Sequence, residues 1–135
     1  MGENSKNKKP IYSFRDLEVY QDSYKAMLEI AQKILPKLPE SEKYDLKDQL
    51  SRSSKAIPRL IAEGFAKKHQ KLGFQKYLDD AMAETNETIV SLEQVKDIYN
   101  IESELCMVLI ERYDVIARRT YKLAEVWTSF TSKRY

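Results

Sequence analysis

Residues 52–65 read Arg-Ser-Ser-Lys-Ala-Ile-Pro-Arg-Leu-Ile-Ala-Glu-Gly-Phe, an amphipathic helical pattern with a proline in its middle. Pro58 has no backbone N–H, and its ring crowds the carbonyl of Ser54, a defect that costs ~3 kcal/mol in a helix interior. The hydroxyls of Ser53 and Ser54 lie one turn earlier, where they could bond carbonyls that the proline leaves free. We therefore expect one long helix with a kink at Pro58.

Apolar residues recur at intervals of three and four on both sides of this segment and predict three further helices. The first is expected to begin at Ser13, which can form a capping box with Asp16. Pro36 and Pro39 should end it and force an extended linker through Leu38. The residues expected to be buried in this helix are Phe14, Leu17, Tyr20, Tyr24, Met27, Leu28, Ala31 and Ile34.

The second helix should run from about Ser41 to about Lys68, and Gly64 near its end could permit a close helix approach. The third is expected from about Leu72 to Tyr99, closed by Asn100 in a left-handed conformation. The fourth should end before the polar residues 128–135. The expected core residues of these helices, with Tyr113 and Val126 nearby, are Leu46, Leu50, Ile57, Ile61, Phe65, Phe74, Leu78, Ala81, Thr85, Ile89, Leu92, Val95, Tyr99, Leu105, Leu109, Ile116, Leu123 and Trp127.

Short connections between four such helices force neighbours to be antiparallel. We therefore predict an all-α fold, an antiparallel up-down-up-down four-helix bundle with its second helix kinked at Pro58. Residues 1–12 are expected to form a flexible basic arm, residues 13–127 the bundle, and residues 128–135 a polar tail. A chain of 135 residues with 42% hydrophobic and 33% charged residues suits one globular domain.

The composition also excludes several classes of protein. A lone cysteine, Cys106, permits no internal disulfide and no multi-cysteine zinc site, which fits a reducing cytoplasm. No apolar run approaches a membrane span, and we see no signal-peptide pattern, so we expect a cytoplasmic protein without a membrane partner. A di-iron site would need Glu-x-x-His pairs, but Glu63 is followed at that spacing by Ala66.

Charge is distributed unevenly although the net charge is only +2. Residues 42–71 carry eight positive and four negative charges, a net of +4, and residues 72–100 carry two positive and six negative, a net of −4. Either two neighbouring helices complement each other, or the first presents a basic binding face. The candidate nucleic-acid-binding residues are Lys55, Arg59, Lys67, Lys68, Lys71, Arg118, Arg119 and Lys122.

Other residues have a structural and a functional interpretation. Arg52, Glu63 and Glu87 could form one polar layer between adjacent helices, which we favour over a ligand-binding role. Tyr44, Tyr77 and Tyr121 could stack on unpaired bases, although tyrosines in bundles are more often core residues. The pairs Asp79-Asp80 and Glu84-Glu87 fit a solvated acidic face better than a divalent-cation site, and Cys106 with His69 lacks the partner of a nucleophilic site. We expect no catalytic residue, metal or cofactor.

Several motifs together resemble a known family. They are Tyr12-x-Phe14-x-x-Leu17-x-Val19-Tyr20, Gln49-x-x-Arg52, Ile57-Pro58-x-x-Ile61-Ala62-Glu63-Gly64-Phe65, Phe74-x-x-Tyr77-Leu78-x-x-Ala81 and Asn86-Glu87. The pattern resembles the 23S ribosomal RNA intervening-sequence proteins, four-helix bundle proteins of which some are encoded inside insertions in bacterial ribosomal RNA genes. The chain departs from it at Arg59-Leu60, where the family usually has a small polar residue and Asn, and at Ala83-Glu84, where it usually has Gly-Ser.

The resemblance implies a homopentamer and kinship with the accessory variability proteins of diversity-generating retroelements, which bind a reverse transcriptase and nucleic acid. Surplus apolar residues that could face a neighbouring subunit are Val19, Tyr77, Met82, Met107 and Trp127. We therefore expect a non-enzymatic oligomer that binds nucleic acid, most plausibly structured RNA, by its backbone. The alternative is a structural pentameric adaptor for a protein such as a retroelement reverse transcriptase. Binding of RNA or DNA that weakens steeply with salt would separate the first from the second.

Overall fold

Four helices build the chain in the computed structural model, which describes the backbone of residues 10–134 and the side chains of residues 10–127. Helix α1 is Glu18–Glu29 and continues into a π-helical turn, Ile30–Ile34. Helix α2 is Leu46–Ala66, and α3 is Gly73–Gln94, continued by a second π-helical turn, Val95–Tyr99. Helix α4 is Ser103–Arg134. No strand occurs in residues 10–134, so the all-α prediction is confirmed.

The helices pack as an up-down-up-down bundle. Helix α2 lies between α1 and α3, α3 lies between α2 and α4, and α4 closes the bundle against α1. The contact of α1 with α4 is the slightest of the four, and charged side chains bridge it: Arg112 bonds Glu29, and Arg119 pairs with Asp22 at 3.2 Å. One end of the bundle therefore carries the α2–α3 turn, the start of α1 and the final part of α4.

The predicted capping box opens the first helical segment. The Ser13 hydroxyl accepts the Arg15 N–H at 3.1 Å, and the Asp16 carboxylate accepts the Ser13 N–H at 3.0 Å. These bonds hold a short 3₁₀ turn, Phe14–Asp16, which Leu17 separates from α1 by an extended backbone. Phe14 therefore sits on a turn of its own beside α1.

The predicted buried face of α1 is wrong in part. Tyr24 and Leu28 are 42% and 37% exposed, whereas Val19, which was expected to face another subunit, is 4% exposed. The side chains that face the core also include Ser23 and Ala26. The extended residue before α1 and the π-helical turn after it both shift the helical phase, so a single 3.6-residue pattern across the segment fails.

Helix α2 buries the five apolar residues that the pattern predicted, and it remains one α-helix across the buried Pro58. It begins later than Ser41 because Glu40–Glu42 form a 3₁₀ turn. The Glu42 carboxylate accepts a hydrogen bond from the Tyr99 hydroxyl and another from the Leu46 N–H at 3.1 Å, and these bonds, the first more than the second, lower the pKa of Glu42. The kink itself stays a prediction.

The serine hydroxyls before Pro58 do not act as predicted. The Ser54 hydroxyl donates to the Leu50 carbonyl at 2.7 Å, one turn before the carbonyl that the proline leaves without a helical donor. Ser53 is in contact with the next helix instead, because its hydroxyl accepts from Thr88 at 2.8 Å. A side chain can reach only carbonyls three or four residues earlier, so Ser54 cannot bond its own.

The predicted roles of Gly64 and Asn100 are confirmed. A Cβ added to Gly64 would lie 2.5 Å from the Tyr77 Cβ, so α2 and α3 approach as closely there as a glycine allows. Asn100 has φ 53° and ends the third helical segment in the left-handed region. Leu72 also has a positive φ, 58°, at the start of α3, which no pattern in the sequence predicted.

Helix α4 is longer than predicted, because its backbone continues to Arg134 through the segment assigned to a polar tail. Trp127 packs against the rings of Phe65 and Phe74 at 6.2 and 5.0 Å, so it belongs to the bundle as predicted. Most of the predicted basic arm, residues 1–9, lies outside the described residues. None of the helices in residues 10–134 combines the length and apolar character that a membrane span needs.

Candidate nucleic-acid interface

The eight basic side chains predicted to bind nucleic acid are all exposed. The antiparallel course of the chain brings the α2–α3 turn and the final part of α4 to the same end of the bundle. The contacts of Trp127 with Phe65 and Phe74 fix that relation directly. Lys55 and Arg119, in contrast, lie near the middle of α2 and α4, two helices that lie diagonally across the bundle. The residues of the set are Lys55 and Arg59 on α2, Lys67, Lys68 and Lys71 in the turn, and Arg118, Arg119 and Lys122 on α4.

Seven of these eight cations are available for a ligand. Arg119 is the exception, because its guanidinium pairs with Asp22 at 3.2 Å and with Glu18 at 3.8 Å. The other seven make no salt bridge with any residue whose side chain the structure describes. Lys68 instead places its ammonium group 4.3 Å from the centre of the Phe65 ring. Sequence spacing predicted the cluster but could not show that Arg119 is neutralised.

Complementarity between the basic α2 and the acidic α3 accounts for one ion pair only. Arg52 lies 3.3 Å from Glu87, and their side chains are 56% and 47% exposed. No other cation of α2 or the following turn pairs with a carboxylate of α3 in the described part of the chain. Lys47 pairs with Glu40 at 4.0 Å. Lys55 and Arg59 are therefore the α2 cations that have no carboxylate partner among the described residues, and these two favour the binding-face interpretation.

The predicted polar layer of Arg52, Glu63 and Glu87 forms only in part, as the pair of Arg52 with Glu87. Arg52 and Glu87 meet at the surface, and Glu63 is exposed and makes no salt bridge with a described residue. The buried polar contact between α2 and α3 is the hydroxyl pair Ser53–Thr88, at 2.8 Å. Small neutral hydroxyls suit such a position because burying a charge is far more costly than burying a bonded hydroxyl.

A groove of about 350 Å³ runs along the junction of α1 and α2, beside the exposed basic side chains of α2. Its lining is mainly apolar and aromatic, includes two cations and contains no carboxylate. The lining residues are Phe14, Tyr20, Tyr24, Met27, Lys55, Pro58, Arg59 and Ala62. Pro58 thus lies in the wall of the groove, on the same stretch of helix as Lys55 and Arg59.

A second groove of about 510 Å³ lies between α1 and α4 and differs in chemistry. Its charged lining is balanced, since Asp22 and Glu111 accompany Lys25 and Arg112. Arg112 is also engaged with Glu29 across the helix junction. A groove whose cations are matched by carboxylates offers little attraction to a polyanion.

The tyrosines predicted to stack on bases lie apart from one another. Tyr44 and Tyr121 are exposed, but they belong to the loop before α2 and to α4, and Tyr77 is half-buried over Gly64. The aromatic cluster beside cations is a different one, formed by Phe14, Tyr20 and Tyr24. Phe14 and Tyr20 pack against the core as predicted, but the sequence analysis did not predict that they also line a groove with Tyr24. The signal was an aromatic pair at i and i+4 opposite a basic pair at i and i+4 on the next helix.

The two residues considered for nucleophilic chemistry, Cys106 and His69, lie in different elements, near the start of α4 and in the α2–α3 turn. Among the described residues, no three side chains of the metal-binding types converge. Burial raises the pKa of the Cys106 thiol to about 11, so it is a poor nucleophile, and His69 is exposed in the α2–α3 turn. Burial, and next the charge of Glu87, raises the pKa of Glu84. One buried oxygen of Glu84 makes no hydrogen bond with a described residue.

Comparisons with known proteins give one family and one fold. A family model described as 23S rRNA-intervening sequence protein matches residues 15–122. The chain is also similar to a crystal structure of a protein of unknown function from the S23 ribosomal protein family of Bacteroides thetaiotaomicron VPI-5482, with a TM-score of 0.65. The two sequences are 20% identical over 78% of this chain and 97% of that chain, which shows the fold alone. The comparison with curated proteins gave no match.

Proposed function

Because this chain belongs to the 23S rRNA-intervening sequence protein family, we propose that it is a non-enzymatic oligomer that binds structured RNA through the phosphate backbone. One observation carries the proposal: seven exposed cations on α2, the α2–α3 turn and α4 make no ion pair with any described residue. Lysine and arginine side chains that displace counterions from phosphates supply most of the affinity of such contacts, and they bind RNA and DNA alike.

Oligomerisation would make this surface effective. Each chain offers a modest number of phosphate contacts, and repeating them around a ring turns weak binding into multivalent binding. We propose the homopentamer that the family resemblance implies. Exposed apolar side chains on the second half of the chain support a subunit contact, because isolated bundles do not need them: Val90, Ile98, Met107 and Val108 are each at least 46% exposed.

The proposal is tested by measuring RNA affinity at several salt concentrations for the full chain and for Arg59→Ala/Lys68→Ala. We expect the double variant to weaken binding similarly for unrelated RNAs and to flatten the logarithmic salt slope by about one unit or more, since each lost phosphate contact contributes about 0.7–0.9. The control, Lys33→Ala/Lys43→Ala, removes equal charge at the opposite end of the bundle and should bind normally.

Two results would overturn the proposal. The first is obtained by deleting residues 1–10. If this deletion abolishes RNA binding while Arg59→Ala/Lys68→Ala binds RNA normally, the basic residues of the helices face solvent and do not bind RNA. Weak binding that is insensitive to salt is the other, and it would favour the adaptor for a protein such as a reverse transcriptase. Light scattering tests the assembly, and a mass near the 15.9 kDa of one chain would exclude the pentamer.

A further inference from the structure

We propose that the groove between α1 and α2 holds an unpaired base of the bound RNA, so that this surface distinguishes single strands from duplexes. The inference rests on the proposed function and adds the part of the nucleic acid that the groove recognises. With about 350 Å³, the groove falls within the ~300–1,000 Å³ of small-ligand sites. Its place beside Lys55 and Arg59 puts it next to phosphate-binding groups.

The aromatic wall of the groove is built like a stacking platform. The rings of Phe14 and Tyr20 meet edge to face at 4.8 Å, and those of Tyr20 and Tyr24 lie 5.8 Å apart at 35°. This contact between neighbours holds the rings in place. Tyr24 nevertheless remains 42% exposed, so its ring is open to a ligand. Every base has a flat face that can stack on such a ring, whatever the sequence.

The positive charge of the groove lining favours a negatively charged ligand. Lys55 and Arg59 line it, and no carboxylate does. Glu63, one turn beyond Arg59, is not part of the lining. The groove between α1 and α4 has Asp22 and Glu111 among its lining residues, so it lacks this complementarity. A lining of apolar and aromatic side chains with two cations and no carboxylate matches a base that is joined to its own phosphate.

The groove should also bind single-stranded RNA more tightly than duplex RNA. In a duplex the base faces are stacked on one another, so only the phosphates of a duplex can use this surface. A single-stranded loop or bulge can place a base against Tyr24 while its phosphates meet Lys55 and Arg59. The groove should therefore add affinity for unpaired nucleotides on top of the contacts that both forms share.

The experiment compares a short single-stranded RNA of mixed sequence with the duplex that it forms with its complement, using full-length Tyr24→Leu. Leucine keeps an apolar side chain but cannot stack, so we expect about tenfold weaker binding of the single strand and unchanged binding of the duplex. Tyr24→Phe should bind like the wild type. The matched control is Tyr44→Leu, which removes an exposed tyrosine in the loop before α2, outside the groove and at the end of the bundle opposite the α2–α3 turn.

A fluorescent adenine analogue in the single strand gives a second readout, because stacking on a ring quenches its emission. Quenching by the wild type and by Tyr24→Phe, but not by Tyr24→Leu, supports the inference. If Tyr24→Leu binds both RNAs normally while Arg59→Ala/Lys68→Ala weakens both, phosphate binding stands and the base site is refuted. Absence of RNA binding by the wild type would refute both proposals. Two results together would instead assign the groove to a peptide. Free nucleotides would displace neither RNA from the wild type, and an acidic apolar peptide would bind the wild type but not Tyr24→Leu.

Discussion

The closest approach of two helices gives the sharpest stability prediction. Gly64 is buried in α2 opposite α3, and a Cβ added there would lie 2.5 Å from the Tyr77 Cβ and 3.1 Å from Phe74 Cδ1. Ordinary contact begins at 3.4 Å, so Gly64→Ala would require the two helices to separate locally by about 0.9 Å. Neither neighbour can move alone, because the Tyr77 Cβ is fixed to the α3 backbone and Phe74 is fully buried.

Two effects oppose each other in this variant. Alanine is favoured over glycine in a helix interior by about 1 kcal/mol, and overpacking a well-filled interface costs about 1–3 kcal/mol. Because the overlap involves a Cβ on the opposing backbone and not a mobile side-chain end, we take the upper part of the overpacking range. The variant should therefore lose about 1–2 kcal/mol of unfolding free energy.

Chemical denaturation and thermal unfolding measure this loss, and each kcal/mol should lower Tm by about 4 °C in a chain of this size. The matched control is Ala83→Gly at an exposed interior position of α3, which reports the helix propensity of the exchange without a packing change. It should cost about 1 kcal/mol. An increase in the stability of Gly64→Ala, by an amount similar to the loss in Ala83→Gly, would refute the close approach of α2 and α3.

Three further predictions concern α2 and α3. Burial raises the pKa of Glu84, so its ionised form destabilises the fold, and stability should rise as the pH falls through that raised pKa. Glu84→Gln should accordingly unfold at higher temperature than the wild type at neutral pH and at the same temperature below about pH 4; a constant difference would contradict this. Ser53→Ala and Thr88→Val should show a coupling of about 1 kcal/mol in a double-mutant cycle, and strict additivity would mean that their 2.8 Å hydrogen bond is worth nothing. Pro58→Ala should raise Tm, because alanine supplies the N–H that the Ser54 carbonyl lacks; if it also binds RNA normally, the predicted kink has no role in function.

The sequence predicted α2 closely because the information for this helix is local. Leu50, Ile57 and Ile61 recur on one face within a single uninterrupted helix, and all three are buried. The same reasoning failed for α1, where Tyr24 and Leu28 are exposed and Val19 is buried. An extended residue before that helix and a π-helical turn after it shift its phase, and neither has a clear signature in the amino-acid pattern.

The candidate site, too, was predicted from the sequence only in part. Composition and spacing predicted the basic cluster, since Lys55 and Arg59 are one turn apart on an amphipathic helix and must share its polar side. Their neighbours came only from the tertiary structure, which placed Tyr20 and Tyr24 across a groove from them and paired Arg119 with Asp22, 97 residues away. Helical periodicity is a property of neighbouring residues, whereas ion pairs, grooves and stacking surfaces depend on which helices meet and in which phase. That arrangement follows from packing the whole core at once.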